Sequence, residues 1–181
     1  MKNNEIYFEL TDTQWPLEYI NHDREIARAI VFDDDGYLYF VKVDRDDDFG
    51  KAILIETSGG GVEKNEDPAE CIIRELKEEL GANVIIITKL GIVSDYYNLI
   101  HRHNINNYFL CKLVSFQQKH LTQQEINNLH LSTLKLKYPQ ALQYYQNCSN
   151  NRLGNLIASR EIPILNHAQQ LIVEYQKHEK S

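Results

Sequence analysis

The stretch GGVEKNEDPAECIIRELKEELGA, residues 60–82, contains one sharply bounded helix. Asp67 is placed to accept from the first free backbone N–H groups, Pro68 suits the first helical position, and Glu70 completes a capping-box spacing. Gly81 marks the end. Between them Ala69, Ile72, Ile73, Leu76 and Leu80 recur at helical spacing and form one apolar stripe, so this helix packs on a sheet. Beside the stripe, Glu75, Glu78 and Glu79 share an arc of about 100°, and the 75/79 pair lies about 6 Å apart along the axis. Such clustering is unfavourable alone: like charges four residues apart repel, and acids in the last turn oppose the helix dipole. Arg74 and Lys77 compensate only partly, as on an ordinary solvated face. A hard divalent cation, Mg2+ or Mn2+, removes the repulsion because it prefers carboxylate, carbonyl and water oxygens.

Working outward, Ser58-Gly59-Gly60-Gly61 reads as a loop leading to the helix. Its backbone is free to turn tightly and to offer a carbonyl to a metal or N–H groups to a phosphate. Upstream, residues 25–32 and 37–43 are β-rich runs joined by Asp33-Asp34-Asp35-Gly36, a hairpin signature, and residues 51–57 form a further strand. Downstream, 84–94 and 107–114 add strands. The chain beyond residue 121 reads as helical: a short helix or turn over 122–131, a helix over 138–147, a loop at 147–151 and a terminal helix over 161–177. That helical extension, about 132–181, either caps the core or offers a homodimer face. The order of elements predicts an α/β sandwich with a mixed sheet.

With 181 residues, 43% hydrophobic and 25% charged, the chain suits one domain with one buried core. A net charge of −7 and the lack of any Lys/Arg run argue against stable nucleic-acid binding. Residues 1–30 hold no continuous apolar segment, so neither a signal peptide nor a membrane span is expected, and the expected location is the cytoplasm. Cys71, Cys111 and Cys148 are odd in number and widely spaced, which suits reduced thiols.

The 60–82 string resembles the box of the Nudix hydrolases, G-x5-E-x7-R-E-U-x-E-E-x-G-U, where U is a bulky apolar residue. Gly60, Glu66, Arg74, Glu75, Leu76, Glu78, Glu79 and Gly81 match, and only Ala82 is smaller than usual, a place Val84 is able to fill. The resemblance implies an α/β/α sandwich with a mixed sheet. It also implies metal ligation by Glu75, Glu78 and Glu79 with the Gly59 carbonyl, carboxylates oriented by Arg74, and a Glu66–Arg74 salt bridge that supports the loop. The implied activity is hydrolysis of a nucleoside diphosphate linked to another moiety, with Mg2+ or Mn2+ activating water. The general base is either Glu75 or Glu125, which lies in the later segment where the family often places a glutamate.

Residues 95–98 and the loop 101–103 follow the strand after the box, where the family tends to place specificity determinants. Tyr96 and Tyr97 are candidates to stack on a base and Arg102 to meet a phosphate or ribose. Relatives acting on ADP-ribose often carry a proline here and those acting on dinucleoside polyphosphates a tyrosine. With no proline between Pro68 and Pro139, the resemblance favours a mononucleotide or dinucleoside polyphosphate. The competing readings are a nucleotide sensor or protein-binding module that does not turn its ligand over, and an isomerase with an active-site cysteine.

Overall fold

In the computed structural model, which describes residues 5–120 and 131–179, eight strands form one mixed sheet. They are β1 (Ile6–Leu10), β2 (His22–Phe32), β3 (Tyr37–Asp47), β4 (Gly50–Glu56), β5 (Ser58–Gly61), β6 (Ala82–Tyr97), β7 (Arg102–Phe116) and β8 (Ser132–Lys137). The helices are α1 (Pro68–Glu79), α2 (Tyr138–Gln146) and α3 (Arg152–Glu179). The strand order is β1-β6-β7-β2-β3-β4, with β5 added to β2 and β8 to β3. The β1/β6 and β2/β7 pairs are parallel and the remaining pairs antiparallel.

Period-two alternation sends the strand side chains to two separate cores. On one face Ala27, Ala29 and Val31 of β2 and Tyr39, Val41 and Val43 of β3 meet Cys71, Ile72, Leu76 and Leu80 from the first helix. On the other, Ile30, Phe32, Leu38 and Phe40 meet α2 and α3, including Ile164, Leu165, Ala168, Leu171 and Ile172. The result is an α/β/α sandwich. Ala82 is buried in the α1-side core with Val84 packed against it. The apolar stripe of α3 is spent on this chain's own core.

Several elements differ from the sequence reading. Residues 132–137 belong to a strand rather than to the helical extension, because Leu134 and Leu136 alternate with Thr133, Lys135 and Lys137 and pack on the α2/α3-side core while the backbone pairs with β3. Ser58–Gly61 is extended, not a loop: its glycines carry no side-chain pattern, yet the backbone pairs with Ala29 to Ile26. Arg102 and His103 start β7 instead of lying in a loop, since the turn is completed by Asn98–Ile100 and a left-handed His101. The terminal helix begins at Arg152, nine residues before the expected start, capped by the Asn151 side chain accepting from Gly154 N at 2.7 Å. The 147–151 loop is largely a 3-10 turn. The β1 strand is new, and the short element expected over 122–131 lies, but for Leu131, outside the described residues.

Leu165 is fully buried on α3. Leu165→Ala should therefore cost ~2–5 kcal/mol of unfolding free energy, as a cavity in an integral core does. Urea denaturation measures this; a loss within ~0.5 kcal/mol, typical of a surface change, would make α3 an appendage.

Candidate functional site

The sheet opens where β2 and β3 part. These strands pair only at Val31↔Tyr39 and Phe32↔Leu38, after which β3 runs on with β4 while the first half of β2 takes β5. A cavity of about 560 Å³ occupies the gap, within the range of small-molecule sites. Its walls come from Arg24, Ile26 and Arg28 on β2, Arg45 and Asp47 on β3, Glu56, the three glycines of β5, and Tyr97 and Arg102 at the turn.

The acids reach this cavity from α1. Asp67 caps the helix through Ala69 N at 2.8 Å, and Glu70 returns a bond to Asp67 N. Gly81, at φ 65°, ends it in a left-handed conformation where a Cβ would overlap the Gln117 carbonyl. These stops fix the rotation of the helix, and with it the direction of the glutamates. Glu75 and Glu79 are buried and line the cavity. A Cβ on Gly60 would occupy the place of the Glu75 carboxylate, so the bare backbone of β5 is what lets that group through. Glu79 Oε2 accepts from Ser58 Oγ at 2.5 Å and Gly59 N at 3.0 Å.

Arg74 binds both oxygens of Glu66 at 2.9 Å, Glu75 Oε1 at 2.6 Å and the Gly61 carbonyl at 3.3 Å. Its planar fork thus spans the loop, the strand and the helix. Glu78 lies 3.5 Å from Arg74 and outside the cavity lining. Among the described residues no three acidic, histidine or cysteine side chains converge on one point. The carboxylates take separate donors, Arg74 for Glu75 and the Ser58 hydroxyl and Gly59 amide for Glu79.

The donor set nevertheless fits a hard cation, since two buried carboxylates stand against a side-chain-free strand with a third acid one turn away. Cys71 does not compete as a nucleophile or soft ligand. Burial, followed by the Glu66 charge, pushes its thiol up to about 12. Burial does the same to Cys111.

The profile of the NUDIX domain matches residues 22–140. The chain belongs to the NUDIX family. It is similar in structure to a NUDIX hydrolase from Nitrosomonas europaea, at 16% identity and TM-score 0.57 over 68% of this chain and 78% of the other. It is also similar to a MutT NUDIX hydrolase from Burkholderia pseudomallei, at 19% and 0.54 over 66% and 86%. The ORF135 protein of E. coli aligns at 21% and 0.54 over 87% and 95%. At these identities the likeness shows the fold. No curated protein sequence matches significantly.

In this NUDIX domain the two tyrosines part company, because neighbours on a strand face opposite ways. Tyr97 lines the main cavity, buried between Arg160, which donates to its hydroxyl at 2.9 Å, and Arg102, 5.4 Å above its ring. Tyr96 stacks on His103 at 4.6 Å and borders a separate, smaller cavity. Glu125 lies outside the described residues. Sequence reasoning missed Arg24, Arg28 and Arg45, and it missed Phe49, which packs edge-on to Tyr97 at 5.4 Å. The signal was present in HDREIARAIVF, where arginines recur at spacing four on the face that carries Ile26 and Ile30.

Arg74 holds the Glu66 carboxyl down to about 2, against an ordinary 4.5, chiefly by hydrogen bonding. A depressed carboxyl pKa contributes stability above pH 4.5 that is lost as pH falls toward 2. Urea midpoints of wild type and Glu66→Gln should therefore differ most above pH 4.5 and converge near pH 2. A difference independent of pH would detach this ion pair from stability.

Proposed function

We propose that the chain is a divalent-metal-dependent hydrolase that cleaves a pyrophosphate bond in a nucleoside diphosphate derivative, a mononucleotide or dinucleoside polyphosphate being favoured over ADP-ribose. The observation that carries this reading is the passage of Glu75 and Glu79 across the bare β5 backbone into a cavity that Arg24, Arg28, Arg45 and Arg102 also line. Hydrolysis of pyrophosphate bonds is the general chemistry of the family, and divalent metals are its usual cofactors.

Glu75 and Glu79 would hold Mg2+ or Mn2+, joined by Glu78 and the Gly59 carbonyl. When bound, such an ion neutralises the diphosphate oxygens and lowers the pKa of the attacking water. Arg74 orients Glu75 by its 2.6 Å bond, and Glu66 anchors Arg74 in turn. Phe49 offers an aromatic surface for a base, and Tyr97 and Arg102 form the wall beside it. Tyr96 stacks on His103 and faces the smaller cavity, so it does not line this wall. Three unpaired cysteines suit a reducing compartment such as the cytoplasm.

A screen of nucleoside diphosphate derivatives and dinucleoside polyphosphates with Mg2+ and Mn2+ tests the activity. Saturable binding with no turnover of any of them would instead make the chain a nucleotide sensor. On the best substrate, Glu79→Gln and Gly60→Ala should each lower kcat by orders of magnitude, roughly 10²-fold or more. Mn2+ affinity should weaken in parallel while the fold persists. Wild-type turnover by Glu79→Gln would remove the metal assignment.

The base is separable from the ligands. A glutamate outside the helix acts on water alone, whereas Glu75 serves metal and chemistry together. Glu125→Gln is expected to keep Mn2+ affinity and lose roughly 10²-fold in kcat. An unchanged pH–rate profile in that variant would assign the role to Glu75.

A further inference from the structure

The four arginines of the cavity are not equivalent. Arg45 is bound to Asp47 at 2.6 Å and Glu56 at 3.3 Å, and Arg28 reaches Glu56 at 3.9 Å and Asn106 at 3.0 Å. Both have their charge answered within the protein. Arg24 and Arg102 are not so committed: among the described residues neither makes a hydrogen bond or an ion pair, Arg24 has only the more distant Glu75 charge to favour it, and the Arg102 Nε is buried with no acceptor.

These two cations are also brought together. Parallel pairing sets Arg102 opposite His22 and Arg24 opposite Asn104, so the two arginines stand diagonally on adjacent strands at the mouth of one cavity. Each is held in an environment that opposes its charge. Burial and then Arg24 pull Arg102 down to about 10, and desolvation followed by Arg28 lowers Arg24. A protein that crowds unanswered guanidinium groups has the electrostatics of an anion site, as crowded carboxylates have those of a cation site.

Their order along the strands says which anion. Gly60 abuts the Glu75 carboxylate, a Cβ added at Gly61 would lie 3.3 Å from the Arg24 guanidinium, and Arg102 lies further out along β2's partner strand, over Tyr97. Stepping away from the acids, the wall therefore presents metal-binding oxygens, then Arg24, then Arg102. A diphosphate held by the metal at Glu75 and Glu79 leaves the outer guanidinium unanswered.

We propose that Arg24 and Arg102 form a subsite for a phosphate beyond the scissile pyrophosphate, so that the preferred substrate carries a chain of three or more phosphates. This rests on the hydrolase reading above, which supplies the position of the pyrophosphate. Arginine suits the task because its fork gives two parallel charge-assisted bonds to a phosphate. An uncharged sugar at this position would leave both groups unpaired.

Calorimetry with inorganic tripolyphosphate and pyrophosphate, each with saturating Mg2+ so that the acidic end is loaded, reads the subsite without nucleotide turnover. Wild type should bind tripolyphosphate roughly tenfold or more tighter than pyrophosphate, the scale of one charged hydrogen-bonding group. Arg24→Gln and Arg102→Gln should each shrink that ratio. In kinetics with Mg2+ or Mn2+, the same variants should lose at least roughly tenfold more kcat/KM on a nucleoside triphosphate or dinucleoside tetraphosphate than on a nucleoside diphosphate sugar. Equal wild-type affinity for the two inorganic anions, or ratios unchanged in both variants, would overturn the proposal while leaving the hydrolase reading intact. Arginine-dependent tripolyphosphate binding without hydrolysis of any nucleotide would do the reverse.

Discussion

A guanidinium with no access to water holds the site together. Arg160 is fully buried, and a buried charge is tolerable only when opposite charge and hydrogen bonds surround it. It meets Asp95 at 2.9 Å, the Tyr97 hydroxyl at 2.9 Å and Glu161 at 3.1 Å. Glu161, equally buried, accepts from Tyr108 at 2.8 Å and from Thr57 at 3.1 Å. One helix thereby fastens β6, β7 and the residue that precedes β5. Removing one partner of such a pair typically costs ~3–5 kcal/mol, because the other is left charged and unpaired.

That arrangement explains why the glycine strand stays where the acids need it. Thr57 is tied to Glu161 on the α3 side of the sheet, and Ser58, the next residue, is tied to Glu79 on the α1 side. The strand between the two helical layers is thus pinned from both faces at adjacent residues. Beyond that point Gly59, Gly60 and Gly61 add nothing but backbone, and the space their missing side chains leave belongs to the Glu75 carboxylate. The NUDIX match ends at residue 140, yet α3, which starts at Arg152, supplies the anchor.

What was legible in the sequence was what local chemistry writes. Asp67, Pro68, Glu70 and Gly81 bound α1 because caps depend on neighbours within a few residues, and the Asp33–Gly36 hairpin closes by the same logic, Gly36 N donating to Asp33 O at 2.9 Å. The sandwich and its acidic helix followed. Partners distant in sequence stayed hidden. Ser58–Gly61 looked like a loop because strand character in glycine comes from its partner strand, and β1 shows itself only by parallel pairing with β6. The site was half legible for the same reason: Glu75 and Glu79 share a helix with their spacing code, whereas Arg24, Arg28 and Arg45 meet only after β2 and β3 diverge.

Charge distribution connects the fold to its ligand. The chain carries 26 acidic against 19 basic residues, so its mean field repels a polyphosphate. Four of those basic residues nevertheless line one cavity beside five acids, Asp47, Asp48, Glu56, Glu75 and Glu79, so attraction there is local to the guanidinium groups that these acids do not bind, while the distant surface is screened by salt. Two of the four are committed to Glu56 and Asp47 and tie β2, β3 and β4 together. The acids at the inner end need a cation before an anionic substrate approaches them, because bare carboxylates would repel its phosphates. Selectivity therefore requires both ends: arginines to draw the anion in, and a metal-loaded acidic end to position the bond that breaks.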